Sequence, residues 1–226
     1  MAILRSQVFG KSLIGVYLTC NNSYVLYPPT IQKNTVQKFK KIFDNPFYPL
    51  TINNSTLLGV YTVSNKFGII VPYIIKDEEL DKLKLYLSEL DNSSEIGVLK
   101  SIDNAFGNLI LCNDKGAIIS SLLKSYRKDI EDILSVETVI YEFANNYLPG
   151  SISLANNYGC LVHPLSTDEE LDSISAVLKV NEIDVSTVNR GIPYLSSGAI
   201  VNDNSGIFGM DCTGPEMMRL TNVLNL

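Results

Sequence analysis

Positive charge, histidine and long apolar runs are what this sequence has least of. Its 226 residues carry 18 Lys and Arg against 24 Asp and Glu, a formal net charge of −6. A protein whose main task is gripping nucleic-acid phosphates needs a basic footprint, so that class is excluded. A basic protein partner, including one inside a ribonucleoprotein, stays open. A single histidine, His163, excludes multi-histidine metal centres. The longest run without a charge or an obvious polar break, about Phe67–Ile75, is far short of the roughly 20 residues a membrane helix needs, and Gly68 and Pro72 interrupt it. Only Ala2-Ile3-Leu4 stands ahead of Arg5, too little for a signal-peptide core. The four cysteines, Cys20, Cys112, Cys160 and Cys212, lie far apart with no C-x-x-C pair. That pattern reads as reduced thiols in a cytosolic chain. Gly-rich phosphate loops are absent as well. What is present is 46% apolar and 19% charged residues, which excludes a disordered chain and suffices for a sizeable core. Length alone admits one domain or two.

One short pattern recurs between apolar runs: Asn or Asp, two variable residues, then Gly. It appears at Asn65–Gly68, Asn113–Gly116, Asn156–Gly159 and Asp203–Gly206, and Asn21–Tyr24 keeps the Asn but not the Gly. The near-constant period is a signature of repeat architecture. Asn or Asp opening a tight turn can bond its own downstream backbone, and Gly at the fourth place is expected to accept a left-handed conformation. Nine residues before each turn's last position stand Gly15, Gly59, Gly107, Gly150 and Ser197. The first strands are predicted over Val16–Cys20, Val60–Ser64, Leu109–Cys112, Ile152–Ala155 and Ala199–Asn202. Second strands follow each turn, and Pro28, Pro72 and Pro164 close three of them.

Helical patterns come next: residues 31–43, 77–90, a third around Ile130–Leu134, one opened by a Ser166/Glu169 capping box, and a short one over Glu216–Leu224. Third strands are predicted at Phe47–Ile52, Glu95–Ser101, Glu137–Phe143 and Glu182–Val188. The fifth unit has none, and the spare strand lies at Ile3–Phe9. The economical reading is circular, with the N-terminal strand completing the fifth unit. The chain is thus an α+β protein of five quasi-identical repeats of roughly 45 residues in one domain, at about 11–54, 55–102, 103–145, 146–192 and 193–226, closed by residues 1–10.

Few residues point to bond chemistry. His163 ends a second strand and reads as structural or surface. Cys20 and Cys112 take a site where other copies carry Ser64, Ala155 and Asn202, which reads as packing. Cys212, in a Gly/Pro-rich loop beside Asp211, could pair with His163 as nucleophile and base, though no spacing rule ties them. Lysines 33, 38, 40 and 41, and Lys124, Arg127 and Lys128, read as solvated helix faces. Polar turns at Asn104–Asn108, Asn145-Asn146 and Thr187–Gly191 fall on one rim by pseudo-symmetry; they are either tight-turn chemistry or a recognition surface.

Four segments carry a resemblance: Gly107–Gly116 (GNLILCNDKG), Asn156–Pro164 (NNYGCLVHP), Thr187–Gly191 (TVNRG) and Gly209–Glu216 (GMDCTGPE). In this order over five repeats they resemble the archaeal initiation factor 6 family of ribosome anti-association factors. The resemblance implies a pentein fold, an α/β propeller with pseudo-fivefold symmetry. It implies a cytoplasmic, monomeric, non-enzymatic protein without cofactor or metal. Its partner would be the large ribosomal subunit, met on the intersubunit face at a basic ribosomal protein near the sarcin–ricin loop, so that the small subunit is excluded. No membrane or free nucleic acid is involved. Carried over by position, the contact rim falls on Val60, Asn108, Ser151, Ile152 and Tyr194. Tyr147-Leu148-Pro149, Tyr24 and Cys212 depart from the family pattern. The chain ends at Leu226 without the C-terminal extension of eukaryotic members, as an archaeal type would. Other pentein rings modify guanidino groups, and the alternative expectation is such an enzyme built on Cys212, His163 and Asp211.

Overall fold

The computed structural model describes residues 2–90 and 94–226. They form five three-stranded sheets of one build. In the second repeat, Val63–Ser64 pairs antiparallel with Gly68–Pro72, and helix Asp77–Ser88 then leads to Glu95–Leu99, parallel to it. The first repeat has Thr19–Cys20, Val25–Tyr27 and Phe47–Pro49, and the third has Ile110–Cys112, Ala117–Ile119 and Thr138–Ile140. The fourth has Ser153–Ala155, Gly159–Val162 and Glu182–Val185. The fifth hairpin, Ala199–Val201 with Ser205–Gly209, takes its parallel strand from the N-terminus: Ala2–Ser6 runs from Ala2 opposite Ser205 to Ser6 opposite Gly209.

The core is divided among the seams between sheets. Each long helix buries its apolar stripe against its own sheet and the preceding one. Leu83 and Leu87 of the second helix pack on Leu26 behind and Val71 beside them. Ile130 and Ile133 of the third helix fill the seam between Ile70 and Ile119. Ile174 and Leu178 pack with Ile118 and Val162, and Leu220 and Val223 with Leu161 and Phe208. The remaining seam joins Val36 and Phe39 of the first helix, Lys33–Phe39, to Ile200 and Ile207 of the fifth repeat. Contacts therefore pass from each repeat to the next and from the fifth back to the first.

Several local expectations are corrected. Four-residue helical turns, Ile14–Tyr17, Leu58–Tyr61 and Phe106–Leu109, replace the starts of three predicted first strands, and a fourth, Leu195–Gly198, directly precedes the strand that starts at Ala199 as expected. Third strands are shorter because the chain leaves the sheet for a tight turn, bridged at Ile52–Ser55, Phe143–Asn146 and Val188–Ile192. The fourth helix is capped one residue later than expected, by Thr167 and Glu170.

In the fifth repeat the register moves back by one. Asn202 Oδ1 accepts from Ser205 N at 2.8 Å, as Asn156 Oδ1 accepts from Gly159 N. The turn is therefore Asn202–Ser205, and Ser196 replaces Ser197 in the glycine series. The turn glycines themselves have no left-handed conformation, since only Gly10 and Gly191 have positive φ. They are glycines because a Cβ would sit 2.2 Å from Ile133 O at Gly68, 2.0 Å from Val177 O at Gly116 and 1.9 Å from Val223 O at Gly159. Each turn thus seats against the last turns of the next repeat's helix. Tyr24, fully buried, fills the corresponding place in the first seam.

Candidate functional site

The pseudo-axis has two unlike ends. At one, the turn asparagines form a relay: Asn21 Nδ2 donates to Asn65 O (2.9 Å), Asn65 to Asn113 O (3.2 Å), Asn113 to Asn156 O (3.1 Å) and Asn156 to Asn202 O (3.2 Å). The amides of Asn65, Asn113 and Asn156 also cap the next helix, at Leu134, Leu178 and Leu224. The adjacent residues plug the axis. Asn22 Nδ2 donates to Asp114 and Asp203 at 2.9 Å, and Asn157 Nδ2 to the same carboxylates at 2.7 Å. Beneath the plug is an axial cavity of about 120 Å³ lined by Cys20, Cys112 and the Gly15, Gly59, Gly107 and Gly150 backbone. Small-molecule sites usually need a few hundred Å³, so a guanidino substrate has no room there. Burial pushes the Cys20 thiol up strongly and the Cys112 thiol up to about 12, the reverse of nucleophile activation.

The guanidino-enzyme alternative fails on placement too. Neither Cys212 nor His163 lines the axial cavity. Cys212 is buried, its Sγ 3.3 Å from the Asn189 N–H, and burial raises its pKa. His163 is half-buried in another repeat, where its Nδ1 accepts from Leu165 N at 3.1 Å. The lysine clusters lie on exposed helix faces, and Arg127 pairs with Glu131 at 2.8 Å.

The opposite end is built from the four short helical turns and their counterpart at Gly150. The small residues let these backbones touch: a Cβ on Gly59 would meet Gly15 O at 1.8 Å, one on Gly107 would meet Gly59 O at 1.9 Å, and one on Gly15 would meet Ser196 O at 1.8 Å. Val60, Asn108 and Ser151 take one equivalent position here, the residue after each glycine, and all three are half-buried. The Ser151 N–H donates to Asn108 O at 3.1 Å. Tyr194 precedes the fifth turn and is 44% exposed. Ile152 is fully buried in the third seam, so its side chain is core and not surface. Sequence reasoning missed the apolar residues that loops leading into this end expose: Phe9, edge-on to Tyr17, with Ile102, Tyr147 and Ile192. Their signal was position alone, an aromatic or aliphatic residue beside a turn.

Carboxylates from the long helices clamp these loops. In the second repeat the loop turns through Asn53 and Asn54, both at positive φ. Glu79 accepts from the N–H of both (2.6 and 2.8 Å), from Thr51 Oγ1 and from Lys76 N. Glu170 does the same for Ala144 N and Thr167 N. Glu216 holds Arg190 N, Gly191 N, Thr187 Oγ1 and Thr213 N, which explains the polar Thr187–Gly191 segment. Burial pushes the Glu216 carboxyl up. The Thr213 and Gly191 N–H groups and the Thr187 and Thr213 hydroxyls outweigh that and hold it at about 2. Glu79 is held below the usual range by the same balance, burial opposing bonds from Thr51, Asn54, Lys76 and Asn53.

A sequence model of the eIF-6 family matches residues 3–223. The chain is 38% identical over 224 residues to translation initiation factor 6 of Methanococcus vannielii, covering 99% of both chains. It is 37% identical to the Methanocaldococcus jannaschii protein of that name, over 99% of this chain and 98% of the relative. It is 36% identical to that of Pyrobaculum aerophilum, over 96% of each. No helix among the described residues is long and apolar enough to cross a membrane.

Proposed function

Because this chain belongs to the eIF-6 family and so is a non-enzymatic translation initiation factor, we propose that it binds the large ribosomal subunit on its intersubunit face and keeps the small subunit from joining. The observation that carries the reading is the whole-length similarity to proteins named translation initiation factor 6. The five seams, each repeat packed on the next, support a single pentein domain spanning residues 1–226. Such a body acts by bulk: it needs one adhesive face and no active site. The face bearing Val60, Asn108, Ser151 and Tyr194, with Phe9, Tyr147 and Ile192 around it, has the exposed aromatic anchors that protein interfaces favour. The partner would be a basic ribosomal protein near the sarcin–ricin loop, for which a net charge of −6 is complementary. A cytoplasmic monomer fits this role.

Purified cognate large subunits should carry the protein down in sedimentation, and the bound subunits should fail to join small ones. Large subunits that neither bind it at micromolar concentration nor lose joining overturn the proposal. Tyr194→Glu or Asn108→Glu should weaken binding by about 2 kcal/mol, roughly 30-fold in Kd. If neither change moves Kd, the face is misassigned even where binding is confirmed.

A further inference from the structure

The net charge of −6 conceals an uneven distribution. Residues 1–43 hold six of the eighteen Lys and Arg and none of the twenty-four Asp and Glu, so residues 44–226 set twelve cations against twenty-four acids. The first repeat is thus a basic segment of an otherwise acidic ring. The other long helices open on carboxylates, at Asp77–Glu79, Asp129, Asp168–Glu170 and Glu216, whereas the first, Lys33–Phe39, has none. It buries Val36 and Phe39, and its exposed remainder is Lys33, Asn34, Gln37 and Lys38, with Lys40 and Lys41 just beyond. Among the described residues every ion pair lies outside this repeat, so none of these lysines, nor Lys11, has a carboxylate partner. Positions 33 and 40 are two helical turns apart, about 10 Å along one face. A groove of about 400 Å³ runs beside them, lined by Lys33 and Lys40 and by Tyr27, Pro29, Ile31 and Pro49. Pro46 precedes and Pro49 ends Phe47–Pro49, the outer strand of this sheet. Proline has no N–H to give, so an extended peptide gains little by pairing there. A second cleft, lined by Phe9, Gln32 and Thr35, joins the start of the helix to the proposed docking face.

We propose that this flank of the first repeat contacts RNA of the large subunit, with its lysines on phosphates and an unstacked base in the groove. The proposal rests on the reading that the protein docks on that subunit, and adds to it a second surface of opposite charge. A factor on the ribosome meets two chemistries, basic protein and phosphate backbone. The acidic body suits the first, and only the first repeat suits the second. Lysines without acidic neighbours on their own helix attract phosphate, and the exposed Asn34 and Gln37 amides can donate to its oxygens. The Tyr27 ring between cations is the kind of platform on which unpaired RNA bases stack. An acidic polypeptide would meet the same charge, but the prolines deny it a strand edge to extend. RNA is then a flanking contact, not the main grip that the net charge excludes.

The test is binding of cognate large subunits across a salt series, by the parent and three double variants. Lys33→Glu with Lys40→Glu should weaken binding at least about tenfold and reduce the slope of log Kd against log salt by about 1.5, the share of two phosphates. Lys124→Glu with Lys128→Glu makes the same change of net charge at exposed positions of the third repeat and should do neither. Lys33→Arg with Lys40→Arg should bind as the parent does. A short single-stranded oligouridylate is the isolated probe. In NMR of the full chain it should shift the Tyr27 ring and the amides of residues 33–41, and it should outcompete polyphosphate and polyglutamate of equal charge. The proposal falls if the two glutamate pairs act alike, or if reversing charge at 33 and 40 leaves subunit binding unchanged. It falls equally if polyphosphate matches the RNA, or if polyglutamate does, which would put an acidic protein on this flank instead. Subunits that bind no form at all speak against the anti-association reading alone. The oligouridylate arm, in which no subunit takes part, then decides whether the flank takes RNA.

Discussion

Single residues here matter most where they satisfy backbone that the fold leaves exposed. Glu216 is 9% exposed and takes bonds from two segments, the loop at Thr187–Gly191 and the cap residue Thr213. Its carboxyl sits at about 2 in the folded chain against 4.5 ordinarily. A depressed carboxylate contributes stability that is fully present above the ordinary value and is lost as pH falls through the folded one. The difference is worth on the order of 3 kcal/mol at neutral pH. Glu216→Gln should cost about that much in urea denaturation at pH 7, and the gap between variant and parent should shrink steadily from pH 4.5 downward. A gap that is unchanged at pH 3 would show the loss to be packing and not charge. This clamp was half legible in the sequence. Thr187–Gly191 stood out as too polar for packing, but nothing in a linear reading links it to a carboxylate at position 216 in the next helix.

At the level of elements, the repeat is a hairpin turn pressed against a helix end, and glycine is what allows the contact. Gly116→Ala would put a methyl group 2.0 Å from the Val177 carbonyl oxygen. Backbone cannot step aside as a side chain can, so the change should cost about 3 kcal/mol and lower the thermal midpoint. Gly214→Ala, with nothing within 4 Å of its Cβ, should be nearly silent in the same melt. If the two behave alike, close approach is not why these glycines are there. The period, the turns, the helices and the N-terminal latch were all readable because Asn, Gly and apolar spacing are local signals. The reason for the glycines was misread because steric contact with another repeat leaves no local trace. The fifth turn slipped by one residue because Asp203 alone has a Gly in the fourth place, whereas Asn202, with Ser205 there, is the residue that takes the buried bond from Ser205 N. The four-residue helical turns were invisible, since one turn has no periodicity to read. Ile152 was carried onto the proposed docking face by position alone, and its side chain is buried in the core.

The whole molecule is distinguished from an open row of repeats by its last seam. In a linear array the terminal units have one neighbour and fray first. Here the first helix packs on the fifth sheet, Ala2–Ser6 completes that sheet, and Arg5 Nη1 donates to Cys212 O at 2.9 Å. Asp203 N reaches Asn22 Oδ1 at 3.0 Å across the same junction. The N-terminal strand should therefore govern cooperativity as well as stability. Removing residues 1–6 takes away a five-residue parallel register. At about 0.5–1.5 kcal/mol net per hydrogen bond, offset by the ordering entropy the strand no longer loses, the loss is on the order of 3 kcal/mol. For a chain of this size that lowers the midpoint by roughly 6–12 °C. The sharper expectation concerns where protection is lost. Hydrogen exchange of the truncated chain should accelerate first in Ala199–Gly209 and the Lys33–Phe39 helix, on the two sides of the opened seam. The third sheet, Ile110–Ile140, lies two seams away in either direction and should hold longest. Uniform acceleration across all five sheets would mean that the unit of folding is the whole cycle. Acceleration confined to Ser205–Gly209 would mean that the strand only covers an edge and that the fifth seam stays shut without it.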